Sequence, residues 1–146
     1  MGTHLWFVLT DPDPSTGRVV LVMLVTERSH TERTTRLTVG DHPFISHASA
    51  VDFGTATYAL AAKLTSKLGN SLAKLGADMS TPLLKRIRAG LIDSSHTPNE
   101  IVRYCRQLFE SQSSLTGLLT SGTLENEVHN SMKRRLHFGL PRSKGA

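Results

Sequence analysis

The sequence predicts an α+β fold. A small, strongly bent β-barrel or roll is expected over residues 1–60, a helical region packed on it over 61–136, and a basic flexible tail over 137–146. Three observations predict this. Apolar runs rich in β-branched and aromatic residues fill the N-terminal third and are separated by turn residues. From Leu60 onward, apolar residues recur at three- and four-residue spacing, the period of a helix. The net charge is +5 over 146 residues, and Lys133 to Ala146 holds five bases and no acid, which reads as a mobile end.

Leu5 to Leu9 opens the strands. Asp11-Pro12-Asp13-Pro14-Ser15-Thr16-Gly17 follows with the chemistry of a turn: proline fixes φ, Asp and Ser bond locally, and Gly17 permits positive φ. Val19 to Val25 is seven apolar residues in a row. A strand this apolar needs cover on both faces and belongs at the centre of its sheet. The two strands make a β-hairpin with a seven-residue loop. Glu27 to Thr34 is a polar loop. Thr35 to Val39 alternates as a half-exposed strand, with Leu37 and Val39 inward. Gly40-Asp41-His42-Pro43 breaks it, and Phe44 and Ile45 anchor the chain after the break. Val51 to Tyr58 returns as a strand, with a bulge or close approach at Gly54.

Leu60, Leu64, Leu68, Leu72 and Leu75 form one helical stripe that Gly69-Asn70 can interrupt. Thr81-Pro82 starts a second helix, capped by Thr81 or Ser80. Its inner face is Leu83, Leu84, Ile87 and Leu91, with Lys85, Arg86 and Arg88 mostly outside. Thr97-Pro98-Asn99-Glu100 has the pattern of a capping box opening a third helix over 98–110. Cys105 sits mid-face among Ile101, Val102, Leu108 and Phe109 and reads as core. Ser111 to Thr123 reads as linker, and Leu124 to Leu136 as a final amphipathic helix.

Composition narrows the function classes. No apolar run approaches the roughly 20 residues of a membrane span, so no membrane partner is expected. The N-terminus lacks the basic region of a secretory signal. A single cysteine excludes a disulfide framework and a Cys-based zinc site. A cytoplasmic protein of a reducing compartment is expected. No Gly-rich phosphate loop or dinucleotide fingerprint is present, so no nucleotide cofactor is expected. The histidine spacing fits no standard zinc pattern, and no metal is expected.

The remaining chemistry lies in histidine and arginine. Seven histidines occur, four of them in the β region: His4, His30, His42 and His47. Histidine titrates near neutrality and serves as general acid or base. The segment from Gly40 to Ser49 gathers His42 and His47 with Asp41 and two serines, and these histidines are the candidate proton carriers. Arg18, between the turn and the apolar run, is the candidate phosphate-binding cation. The basic C-terminal half offers Arg103, Arg106, Lys133, Arg134 and Arg135 to the phosphates of a nucleic acid.

Trp6-Phe7, the Asp11 to Gly17 turn, Gly17-Arg18 and the run Val19 to Val25 together resemble the PemK/MazF group of bacterial toxins. The likeness spans residues 4–60. Val19 stands where that group usually has proline, and the helical end here is longer. The resemblance implies an SH3-like barrel and a metal-independent endoribonuclease. In that chemistry a ribose 2′-hydroxyl attacks its own phosphate, and Arg18 takes the phosphate-stabilising place. RNA is the implied substrate, with a small antitoxin and a second copy of the chain as partners. Two other readings compete with it. One is a non-catalytic barrel that binds nucleic acid or protein. The other is a helix-turn-helix-like DNA-binding regulator, reading the helices near 82–91 and 98–110 through Arg103 and Arg106.

Overall fold

The run of seven apolar residues becomes the middle of the sheet. The computed structural model describes residues 3–72, 74–118 and 137–141. Its strands are β1 (Thr3–Val8), β2 (Arg18–Thr26), β3 (Arg36–Leu37), β4 (Ser49–Leu60) and β5 (His137–Pro141). Its helices are α1 (Ala61–Gly69), α2 (Thr81–Asp93) and α3 (Asn99–Leu118). The strands form one antiparallel sheet in the order β3-β4-β2-β1-β5, curled into a half-barrel. The fold is therefore α+β, with an N-terminal curled sheet followed by helices. Among the described residues the sheet stays open, with β3 and β5 as its edges.

Alternation along β2 explains why every residue of the run is apolar. Val20, Val22 and Leu24 face the main core with Phe7, Phe53, Leu84, Ile87 and Leu91. Val19 and Leu21 face a smaller core with Val8 and Leu64, so α1 covers the opposite face. The expected bulge is at Gly54. Leu21 pairs with Thr57 and Met23 with Asp52, so β4 places residues 53–56 opposite Val22 alone. The Thr55 hydroxyl repairs the ladder, accepting from Met23 N–H (3.0 Å) and donating to Asp52 C=O (2.5 Å).

The 11–17 turn forms as its chemistry dictates. Asp13 accepts from Ser15 N–H and Oγ at 2.9 and 2.7 Å and from Thr16 N–H at 3.1 Å, and Gly17 takes φ +70°. Tyr104 of α3 donates to the other Asp13 oxygen at 3.1 Å. These hydrogen bonds, led by that from the Ser15 hydroxyl, hold the Asp13 carboxyl down at about 2. Burial, then the Asp13 bond, pushes the Tyr104 phenol up to about 12.

Helix α2 starts at the Ser80 cap, whose hydroxyl accepts Leu83 N–H at 3.2 Å. Its predicted inner face is buried as expected. Arg88 departs from the prediction: it is 7 % exposed, and its Nε and Nη2 both donate to Leu9 C=O at 2.9 and 2.7 Å. Its Nη1 reaches Gln112 Oε1 at 3.2 Å, and its guanidinium lies 4.6 Å from the centre of the Phe109 ring. Gly90 lets the same helix rest directly on the sheet. A methyl group there would collide with the Thr35 hydroxyl and come within 2.7 Å of the Phe53 ring.

Other expectations change with the structure. The leucine stripe stops at Gly69, and Leu72 and Leu75 are 58 % and 52 % exposed. Ser71 takes a left-handed φ of 58° just after the helix, which turns the chain away. Val39 and Phe44 point out, while Ile45 is buried with Leu37. Thr97 does not cap α3, because its hydroxyl donates to Leu91 C=O at 2.7 Å. The first turn bonds to Pro98 C=O instead. Residues 111–118, expected as linker, continue α3. Residues 137–141, expected as the start of a tail, pair with β1 from Thr3↔Pro141 to Phe7↔His137. The predicted helix over 124–136, with Lys133, Arg134 and Arg135, lies outside the described residues.

Arg88→Ala should lower the unfolding free energy by about 3 kcal/mol, because a buried carbonyl loses its donor. Gly90→Ala should lower it by about 2 kcal/mol or more through overpacking. Urea titrations followed by circular dichroism measure both. Asp13 has a folded pKa below its unfolded one, so its contribution is present above pH 4 and lost as pH falls toward 2. Asp13→Asn should flatten that part of the stability–pH curve.

Candidate functional site

A groove of about 970 Å³ lies at the end of β2 remote from the 11–17 turn. Its apolar lining includes Leu5, Met23, Leu24, Val25 and Ile45. Four histidines line it: His4 from β1, His30 from the polar loop, His47 from the segment before β4, and His96 from the α2–α3 connection. Arg28, Glu32 and Asp52 are its charged residues. The volume is at the upper end of ordinary ligand clefts.

His47 is exposed, yet both its ring nitrogens are held. Nε2 lies 3.0 Å from Thr26 Oγ1 and Nδ1 lies 3.0 Å from Ser46 Oγ. A hydroxyl can donate or accept, so each partner suits either state of the nitrogen it faces. The ring can change tautomer while keeping both partners. A substrate proton reaches it only through one of these hydroxyls or once one of them gives way.

Glu32 builds the wall opposite. Its Oε1 accepts Phe53 N–H at 2.8 Å, and its Oε2 accepts the hydroxyls of Ser94 at 2.7 Å and Thr34 at 3.0 Å. Ser94 Oγ in turn accepts His96 N–H at 3.1 Å. One carboxylate thus ties the polar loop, the β4 bulge and the α2–α3 connection together, and with them the backbone that carries His30 and His96. Glu27 adds a second tie, pairing with Arg36 Nη2 at 2.8 Å and with Arg33 Nε at 3.4 Å.

The predicted trio of Arg18, His42 and His47 is not assembled. His42 is 4 % exposed and belongs to the core, edge-on to Phe7 with ring centres 6.0 Å apart. Its Nδ1 accepts Phe44 N–H at 3.1 Å, so Nε2 carries the proton and donates to Ala77 C=O at 2.9 Å. The ring thereby ties down the segment before α2, and it does not line the groove that His47 lines. Asp41 likewise serves the turn, accepting Thr38 N–H at 2.7 Å and pairing with Arg86 at 3.2 Å.

Arg18 starts β2, and Thr26, the partner of His47, ends it. Eight residue steps separate them, roughly 26 Å along an extended strand. Arg18 lies over the Tyr58 ring at 5.6 Å, and Tyr58 meets Tyr104 edge-on at 5.6 Å between centres. Burial pushes the Tyr58 phenol up, and the nearby Arg18 charge opposes this. Arg103 and Arg106 are exposed on α3. Cys105 is core as expected, and burial pushes its thiol up to about 12.

His47, a candidate from the sequence, lines the groove, and His96, which the sequence did not single out, lines it too. Nothing near Ser94-Ser95-His96 marks it, because the contact to Glu32 spans 62 positions. Among the described residues, no three His, Cys, Asp or Glu side chains are grouped so as to share a metal ion. Among the described residues, no helix is long and apolar enough to cross a membrane. Comparisons with protein-family models, with curated proteins and with solved structures find no match to this chain.

Proposed function

We propose that the protein is a metal-independent endoribonuclease whose acid–base chemistry resides in the histidine groove. The observation that carries this is His47, held between two hydroxyls and facing a groove lined by three further histidines. Ribonucleolysis without metal needs two proton carriers and one cation. A base removes the proton of the ribose 2′-hydroxyl, and the oxygen attacks the adjacent phosphorus. The bond from phosphorus to the 5′-oxygen breaks, and an acid protonates that leaving oxygen. The products are a 2′,3′-cyclic phosphate and a free 5′-hydroxyl. His47 takes one proton role, a second groove histidine takes the other, and Arg28 faces the charge that builds on the phosphate.

The antiparallel half-barrel is the one feature that this reading shares with the SH3-like barrel of PemK/MazF toxins, since Arg18, in the place the resemblance gives to the phosphate-stabilising arginine, lies outside the histidine groove. In this reading, the regulator is a small acidic antitoxin segment that orders on binding along a groove or strand edge.

The test uses a labelled 20-nucleotide single-stranded RNA with varied dinucleotide steps. The wild-type protein should cut it in the presence of a chelator and leave cyclic phosphate ends. His47→Ala should lower the cleavage rate about 10²- to 10⁴-fold, and Arg28→Ala should lower it as well. An intact RNA after prolonged incubation with wild-type protein would sink the nuclease reading.

A further inference from the structure

Among the described residues, a cluster of positive charge lies at the opposite end of β2 from the histidine groove. Arg18, Lys63 and Lys67 line a second groove of about 430 Å³ with Tyr58, Ala59, Leu60 and Leu64. No acid lines it. All three cations are exposed, and among the described residues none forms an ion pair. Arg36 and Arg86, by contrast, are drawn onto Glu27 and Asp41.

The three are held by different rigid elements. Arg18 leaves the end of the central strand, with its guanidinium supported by the Tyr58 ring. Tyr58 is braced by Tyr104, which is itself bonded to the turn before Arg18. Lys63 and Lys67 are four residues apart on α1, so they rise side by side from one helix face, ~5–6 Å apart at Cβ. Leu64, between them in sequence, is buried in the smaller core and fixes the helix on the sheet. Two lysines in line and one arginine across from them suit a linear polyanion more than a single compact anion.

We propose that this groove binds the phosphate backbone of single-stranded RNA, away from the bond that is cut. The inference rests on the nuclease reading for the identity of the polyanion and adds a holding site to it. The histidine groove carries one arginine against Glu32 and Asp52, so it draws RNA weakly by charge. The Arg18 groove supplies that attraction from the other end of β2. Bound RNA would span roughly 26 Å, the length of the strand, or about eight nucleotides at stacked spacing.

Fluorescence anisotropy of the labelled 20-mer, measured across a series of salt concentrations, tests this. The triple variant Arg18→Gln/Lys63→Gln/Lys67→Gln should bind on the order of tenfold or more weakly at low salt. Its slope of log affinity against log salt should drop by about 2, at ~0.7 per lost contact. Lys85→Gln, an exposed charge on α2 outside both grooves, should stay within about twofold of wild type. If removing Arg18 disturbs the turn, seen as a lowered melting temperature, Lys63→Gln/Lys67→Gln alone should still lower the slope by about 1.4. A groove variant that binds like wild type overturns the proposal. So does poly-glutamate displacing the RNA at equal charge, which would assign the groove to an acidic protein segment. Binding that responds to the groove variants supports the proposal whether or not the RNA is cut, so its failure and that of the nuclease reading are separate results.

Discussion

One backbone carbonyl at the end of β1 governs how the helices meet the sheet. Val8 pairs with Leu21, so the next rung would join Leu9 and Val20 through two hydrogen bonds. Only one forms, from Leu9 N–H to Val20 C=O at 2.9 Å. Val20 N–H turns instead to the Thr10 hydroxyl at 2.9 Å. The Leu9 carbonyl is left facing the interior, and Arg88 fills it with two donors. A side-chain hydroxyl that stands in for a backbone acceptor thus creates the seat for a buried cation. That cation in turn locks α2 to β1 and, through Gln112 and Phe109, to α3. The position of α2 then fixes where the α2–α3 connection, and so His96, meets the groove.

What could be read from the sequence follows from range. Local chemistry was legible: the Asp13 turn, the Ser80 cap, the central apolar strand and the Gly54 bulge each depend on neighbours a few positions away. Arg88 shows where that logic misled. Leu84, Arg88 and Leu91 follow helical spacing, so position 88 lies on the inner face by period alone, and its charge argued it outward. The burial of His42 was hidden for the same reason, since a polar ring with both nitrogens satisfied is as much at home in a core as Phe7 beside it. The leucine stripe stops where Gly69-Asn70 was read as able to interrupt it. Its spacing continues past Gly69, but spacing cannot outweigh a backbone that turns left-handed at Ser71.

The groove itself was barely legible, because four separate segments build it. His4, His30, His47 and His96 share no motif, and their meeting depends on Glu32 reaching both the β4 bulge and Ser94. The bulge matters here beyond its effect on the strand. The four residues from 53 to 56 stand opposite one on β2, and Phe53 N–H, released from regular pairing, is what Glu32 accepts. The same irregularity that bends the sheet therefore also provides the anchor for the polar loop. The histidine groove and the Arg18 groove are set apart by the direction of β2, which carries one at each end.

The pairing of β5 with β1 joins residues 130 to 138 positions apart. The sheet's fifth strand is thus supplied after every other described element has been made. Until it arrives, the outer edge of β1 presents unpaired amide and carbonyl groups, an open template for any extended chain nearby. Loop-closure entropy for so distant a contact must be met before the pairing returns anything, which makes it a slow, late event in folding. A partly made chain would carry its helices and both grooves on a sheet whose flank is still adhesive.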